Sequence, residues 1–149
     1  MIFRCTNIND ISKIINHPKV YRMASDDLSP NPYIPDMQRA FYLMNKEKTG
    51  VVPVFHVNGI ACQVHIAALP ELWGKAGEFI KEAFTWGFKH TKYQKIFAFI
   101  PVYNRLTIRL VKKGGMVKEG CLKKSFLKGW KLYDQEVFGL IKKDFLKGE

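Results

Sequence analysis

Leu69-Pro70-Glu71-Leu72-Trp73-Gly74-Lys75-Ala76-Gly77 is the stretch on which the fold turns. It follows a β-rich run, Ile60–Ala68, and opens a helical pattern over Trp73–His90. In that pattern Trp73, Ala76, Ile80, Ala83, Phe84 and Gly87 share one stripe, with Lys75, Glu78, Lys81, Glu82 and Lys89 opposite. A helix of this kind packs by one face. Its first backbone N–H groups have no partner within the helix, and their partial positive charge favours a phosphate. Gly74 and Ala76 lack bulk, so a pyrophosphate can approach the backbone, and Lys75 adds a cation. By residues alone, a phosphate cradle and a plain strand-to-helix connection stand level. The Gly-Lys-Ser/Thr ending of a Walker loop is absent, as is the three-glycine spacing of a dinucleotide fingerprint.

Upstream, Val51–Val57 and Ile60–Ala68 flank Asn58-Gly59, the strongest short hairpin signal because both turn positions need positive φ. A two-residue turn there pairs Val57 with Ile60, Phe55 with Cys62 and Val52 with His65. Alternation then puts His56, Gln63 and His65 on one face and Phe55, Val57, Ile60, Cys62, Val64 and Ile66 on the other. Further back, Ile2–Thr6 reads as a strand and Ile8–Asn16 as a helix stopped by His17-Pro18. Ser25–Pro35, with three prolines and two adjacent aspartates, reads as a loop, and Asp36–Lys46 as a helix capped by Asp36. Downstream, Ile96–Ile100 is a continuous apolar run suited to a strand buried on both faces. Asn104 caps a helix to Lys113, which Gly114-Gly115 closes. Met116–Gly120, Cys121–Leu127 and Tyr133–Lys142 read as further strands or a terminal hairpin. Helices interleaved with a mixed sheet predict an α/β (α+β) layered domain. At 149 residues with no linker-like segment, residues 1–149 form one domain.

The composition is ordinary for a globular chain, 47% hydrophobic and 25% charged. Cys5, Cys62 and Cys121 are odd in number and scattered, which suits neither a disulfide framework nor a zinc site; strand cysteines read as small buried hydrophobes. Met1–Cys5 lacks the pattern of a secretory signal, and no apolar run approaches the ~20 residues that span a bilayer, so the expectation is a cytoplasmic protein off the membrane. A net charge of +11 favours acidic partners such as nucleotides, an acidic protein face or RNA. Arg105, Arg109, Lys112 and Lys113 form one basic helix face, which suits a cofactor phosphate, an RNA backbone or simple solvation.

The loop resembles the acetyl-coenzyme A signature of the GNAT N-acetyltransferases, Gln/Arg-x-x-Gly-x-Gly/Ala, in the form Glu71-x-x-Gly74-x-Ala76. The Asn104-led helix, Gly115-Met116 and Glu119-Gly120 resemble further family marks at the expected distance. Gly129-Trp130, Asp134, Phe138-Gly139-Leu140, Arg4 and Asp10 are similar to the ribosomal-protein alanine acetyltransferase subgroup. The resemblance implies a mixed, mostly antiparallel twisted sheet with helices on both faces. It implies acetyl transfer from acetyl-coenzyme A to a primary amine of a protein or small molecule, and admits a homodimer. It places the pantetheine arm on the backbone of Ala67, Ala68 and Leu69. The pyrophosphate falls on the amides of Leu72, Trp73, Gly74, Lys75, Ala76 and Gly77; on the basic helix face, Arg109 is the candidate for the adenine-side phosphate. Asn104 falls near the thiol. Val111 stands where many members carry a tyrosine acid, so an idle GNAT-fold protein that serves as a binding or assembly factor is the alternative.

Acetyl transfer to an amine needs a proton acceptor, and histidine is suited to it because its ordinary pKa lies near 6.5. His65 precedes the pantetheine strand and shares its face with Gln63, which fits a reaction cleft as well as a half-exposed strand face. His56 and His65 lie about four residues apart along the ladder, about 13 Å at a rise of ~3.3 Å, and His17 and His90 lack ligand spacing, so no metal is expected.

Overall fold

In the computed structural model, which describes residues 1–147, the chain begins with β1 (Ile2–Cys5), α1 (Ile8–Ile15) and α2 (Pro18–Ala24). Next come β2 (Ala40–Asn45), β3 (Gly50–Asn58), β4 (Ala61–Val64) and β5 (Ala67–Ala68). A 3-10 turn (Pro70–Lys75) leads into α3 (Ala76–His90), then β6 (Lys95–Pro101) and α4 (Arg105–Lys113). β7 (Val117–Lys128), β8 (Lys131–Ile141) and α5 (Lys142–Lys147) complete the described chain. The strands form one sheet in the order β1-β2-β3-β4-β6-β8-β7, with β5 on β3. Every pairing is antiparallel except β4 with β6. Alternate residues feed two cores: Val52, Val54, Cys62 and Val64 pack with α3, α4 and α5, while Tyr42, Met44, Val51 and Ala67 pack with α1 and α2. The expected mixed, mostly antiparallel sheet with helices on both faces is what forms. Among the described residues, no helix is long and apolar enough to cross a membrane.

Several local expectations are corrected. Asp36–Lys46 is not a helix: it holds a turn and then β2. Asp36 does cap, but its Oδ1 receives the Gln38 and Arg39 amides at 3.0 and 3.2 Å to close the turn. Tyr42, Leu43 and Met44 are at most 1% exposed, so successive side chains are buried on both faces, which a strand between β1 and β3 allows and a surface helix does not. His17-Pro18 stops α1 as expected, but Pro18 also opens α2 from the first helical position, where its missing N–H costs nothing. In β6, Ile96, Ala98 and Ile100 are buried while Phe97 and Phe99 are half-buried, so the run alternates rather than being buried on both faces. The helix expected over Trp73–His90 starts at Ala76, because Pro70–Lys75 winds as the tighter 3-10 turn.

The central hairpin forms one residue out of the expected register. Val54 faces Val64, Phe55 faces Gln63 and His56 faces Cys62, with a bulge between His56 and Asn58. Asn58 pairs with Ala61, so Gly59-Ile60 is the loop, and the Asn58 side-chain oxygen receives the Ile60 amide at 3.0 Å. The turn with two positive-φ residues forms elsewhere, at Gly129 (φ 60°) and Trp130 (φ 58°) between β7 and β8. Asp27 accepts from both turn amides, at 2.9 and 2.7 Å, and so ties this hairpin to the loop after α2.

Candidate active site

The site begins with a proline in a central strand. In the β3 ladder the His65 amide donates to the Pro53 carbonyl at 3.1 Å. Pro53 has no N–H to return, so the His65 carbonyl loses its ladder donor. The strand breaks there: β4 ends at Val64, and β5 resumes with Ala67 opposite Val51 and Ala68 opposite Gly50. β4 and β6 pair only from Ala61–Lys95 to Gln63–Phe97. Beyond that point β5 stays with β3, while β6 follows β8 as far as Pro101 opposite Gln135. The two neighbours therefore part, and a cleft of about 130 Å³ opens between them.

Gln63, Val64, His65, Ile66 and Ala68 line one side of the cleft, and Ala98 to Pro101 line the other. α2 contributes Lys19, Val20, Met23 and Ala24; α4 contributes Leu106 and Thr107 behind Asn104; β7 and β8 add Phe126 and Gln135. Of these residues only Lys19 and His65 carry ionisable side chains, and no carboxylate or tyrosine is among them. His65 is solvent-exposed, yet it stands where this cleft meets a second cavity, with protein on both sides. That desolvation lowers its pKa below the usual 6.5, so the ring is a neutral base at pH 7. It packs edge-on against Phe55 at 5.3 Å, and its nitrogens have no hydrogen-bond partner among the described residues.

His65, Ala68, Trp73 and Asn104 come together at the cleft. Ala67 borders the second cavity. Leu69 continues the β3 ladder through its amide, which donates to Thr49 at 2.8 Å. Alternation along that ladder turns the polar groups of Ala68 away from β3, and its carbonyl accepts the Trp73 indole N–H at 2.9 Å, pinning the 3-10 turn to β5. Within the turn, Leu72 donates to the Leu69 carbonyl at 2.8 Å and Ala76 to the Trp73 carbonyl, so both of those amides have partners inside the chain. Gly74 and Lys75 are exposed, and a Cβ on Gly74 would meet nothing within 4 Å. A Cβ on Gly77 would lie 2.9 Å from the Lys113 Cβ, so this glycine lets the cationic last turn of α4 close against the start of α3.

Asn104 is 6% exposed and does cap α4: its Oδ1 receives the Thr107 amide at 3.2 Å, while Nδ2 lies 3.5 Å from the Met23 carbonyl. Arg109 is not brought to the cleft. It lines a separate shallow hollow with Arg105, Ile108, Lys112 and Glu136, on the side of α4 turned away from Leu106 and Thr107. His56 leaves the face of Gln63 and His65 because of the register shift, and its Nδ1 pairs with the Tyr93 hydroxyl at 2.9 Å. Val111 is fully buried in the α3–α4 core, away from the cleft lining. The sequence reading missed Lys19 to Ala24 because it missed α2; Pro18 at a helix start was the available signal. Pro53, the residue that opens the cleft, was equally visible inside a strand-like run.

No protein-family model matches the chain, and no curated protein matches it by sequence. Solved structures do. Spermidine N-acetyltransferase from Vibrio cholerae in complex with CoA and spermine superposes with a TM-score of 0.75 at 20% identity, over 98% of this chain and 97% of that one. A mutant form of the same Vibrio enzyme gives 0.77 at 19%, over 100% and 99%. A GNAT-family acetyltransferase from Bacillus anthracis gives 0.61 at 23%, over 72% and 69%. Likeness at such identities is likeness of architecture, and the architecture of this chain is that of the GNAT acetyltransferases.

Proposed function

We propose that the protein transfers acetyl from acetyl-coenzyme A to a primary amine, with His65 as the proton acceptor. One observation carries the reading: the parted strands open a cleft whose single neutral base is His65, beside a backbone edge and a helix start suited to a phosphorylated thioester. Open space at Gly74, the Ala68 amide turned away from β3 and the cations Lys75 and Lys113 fit such a cosubstrate, the Ala68 carbonyl being held by Trp73. The 3-10 bonding of Pro70–Lys75 and the Ala76 bond to Trp73 narrow the phosphate cradle to the first turn of α3, from Gly77, beside the open face of Gly74. Acetyl-coenzyme A supplies the acetyl group as a thioester. Neutral His65 takes the proton that the amine nitrogen sheds as its new bond to the acetyl carbon forms, and the C–S bond breaks to release the thiol. With no tyrosine at the cleft, water protonates the sulfur. Asn104 and Thr107 line the same cleft as His65 and are the side chains assigned to the reacting end of the cosubstrate on this reading.

Two measurements test this. Coenzyme A at ~100 times its dissociation constant stabilises the fold by about 2.7 kcal/mol, read as an upward thermal shift. A panel of N-terminal peptides, polyamines, aminoglycosides and arylalkylamines shows thiol release with at least one member. Absence of any coenzyme A binding overturns the proposal. Because Val111 lies in the core where many GNAT enzymes carry a tyrosine acid, a second reading has a specific basis: a GNAT-fold binding or assembly protein without turnover. Binding of coenzyme A with no transfer to any amine establishes that second reading instead.

A further inference from the structure

A second cavity, of about 250 Å³, adjoins the cleft and shares His65, Ile66, Val20 and Ala24 with it. Its remaining walls are chiefly Ile15, Tyr21, Tyr33, Pro53, Phe55 and Ala67. Among the described residues, no Asp, Glu, Lys or Arg lines it. Three of its four hydroxyls are committed inside the protein, and the fourth, on Ser25, faces the Lys128 ammonium at 3.5 Å. Tyr21 donates to the Pro30 carbonyl, and Tyr33 pairs with the Tyr42 hydroxyl at 2.6 Å. Ser29 donates to Asp26 at 3.0 Å and receives the Asp26 amide at 2.9 Å. The ring of His65 is left as the one lining side chain with free hydrogen-bonding nitrogens.

From this geometry we infer that the acceptor is an amine carried on an apolar, ring-sized body, and not a polycation. The inference rests on the acetyl-transfer reading and names the acceptor of that same site. A cavity of about 150 Å³ lined by aliphatic and aromatic groups already takes up benzene, so 250 Å³ accommodates a ring with a short chain. The shared His65 places the amine end of such a molecule at the junction with the cleft, where its proton can be taken. A polyamine instead needs a carboxylate near each ammonium. Of the carboxylates on the neighbouring loop, Asp26, Asp27 and Asp36, none lines the cavity. The net charge of +11 also opposes approach of a polycation. This chain thus diverges in acceptor chemistry from the spermine-bound Vibrio enzyme that it resembles in fold.

The test compares phenethylamine, ethylamine, spermidine and a short peptide with N-terminal Phe, each with acetyl-coenzyme A and a thiol readout. One methylene in an apolar pocket is worth roughly 10–200-fold, so phenethylamine exceeds ethylamine by ~100-fold or more in kcat/KM, and exceeds spermidine by at least ~10-fold. The peptide arm separates a small arylalkylamine from a protein N-terminus as the source of the same chemistry. Calorimetry with the coenzyme A-loaded protein shows phenethylamine binding and no spermidine binding. Tyr21→Glu, which adds a carboxylate to the cavity but not the cleft, lowers phenethylamine kcat/KM about 10-fold and raises that of spermidine. The coenzyme A thermal shift stays unchanged in that variant. Spermidine preferred over phenethylamine, with transfer intact, overturns this inference alone. Coenzyme A binding with no transfer to any amine overturns the acetyl-transfer reading beneath it.

Discussion

From Ala67 to Gly77 the wall beside His65 is made largely of main chain: a two-residue strand, a 3-10 turn pinned by Trp73 to the Ala68 carbonyl, and a helix start with an open glycine. From Pro18 to Tyr33 a second wall is made of side chains, with Val20, Tyr21 and Tyr33 around an apolar hollow. Main chain recognises a ligand through groups that every residue carries, so the first wall keeps its form while the sequence drifts. The second wall recognises by shape and polarity, which change with each substitution. That difference fits a chain sharing about 20% identity with its structural neighbour over nearly its whole length. On the proposed reading, cosubstrate recognition belongs to the first wall and acceptor recognition to the second.

His65, where the walls meet, gives the largest expected effect. His65→Ala lowers kcat by ~10²–10⁴-fold, the usual worth of positioned acid–base assistance, with little change in coenzyme A affinity. Because the ring's pKa is depressed, its base form is lost only as pH falls through a value below 6.5. The rate therefore carries an acid limb below 6.5 that belongs to His65, separate from the rise toward alkaline pH as the acceptor ammonium loses its proton, and that acid limb is missing in His65→Ala. An unchanged kcat and pH profile remove His65 from the reaction.

The main-chain wall is challenged next by Gly74. With nothing within 4 Å of its would-be Cβ, Gly74→Ala is neutral for folding. Gly74→Glu folds equally well but sets a carboxylate against the phosphates. Like charges in contact cost several kcal/mol, so coenzyme A affinity drops about 100-fold or more in calorimetry. Wild-type affinity in Gly74→Glu moves the pyrophosphate off this turn. Val111→Tyr asks a smaller question. Val111 is fully buried, and overpacking a core costs about 1–3 kcal/mol. The variant therefore melts lower and gains no activity, whereas a gain in kcat with an unchanged melt shows that the tyrosine reaches the sulfur.

Parts of this were legible in the sequence for physical reasons. The α3 stripe from Ala76 to Gly87 and the Asn104 cap are local patterns, set by helix period and by one side chain. The pairing of Gln63 with His65 on one face survived a one-residue slip because both lie on the same strand; His56 did not survive it, since a bulge at the turn changes only the relation between strands. β2 was unreadable because Phe41 to Met44 owe their conformation to neighbours on both sides, which local periodicity does not report. The apolar cavity was unreadable for a similar reason. Its walls come from α1, α2, the following loop, β3 and the β4–β5 break, brought together only by the fold.

Asn104 carries the smallest and most discriminating effect, because two roles coincide in one side chain. Its Oδ1 caps α4 through Thr107, and its side chain also lines the cleft. Removing an N-cap costs about 1 kcal/mol, which for a domain of this size lowers the melting temperature by roughly 2–4 °C. Asn104→Ala shows that loss together with a several-fold rise in the KM for acetyl-coenzyme A. Asn104→Ser keeps a capping oxygen but no amide N–H, so the melt recovers. If the amide also orients the cosubstrate, KM stays raised in the serine variant despite the recovered fold, and this is the expected result. Recovery of both in Asn104→Ser reduces Asn104 to a helix cap and leaves orientation of the thioester to the Ala68 amide and the first turn of α3. In that case the main-chain wall would hold the entire cosubstrate, and the division between the two walls would be sharper than the cleft lining suggests.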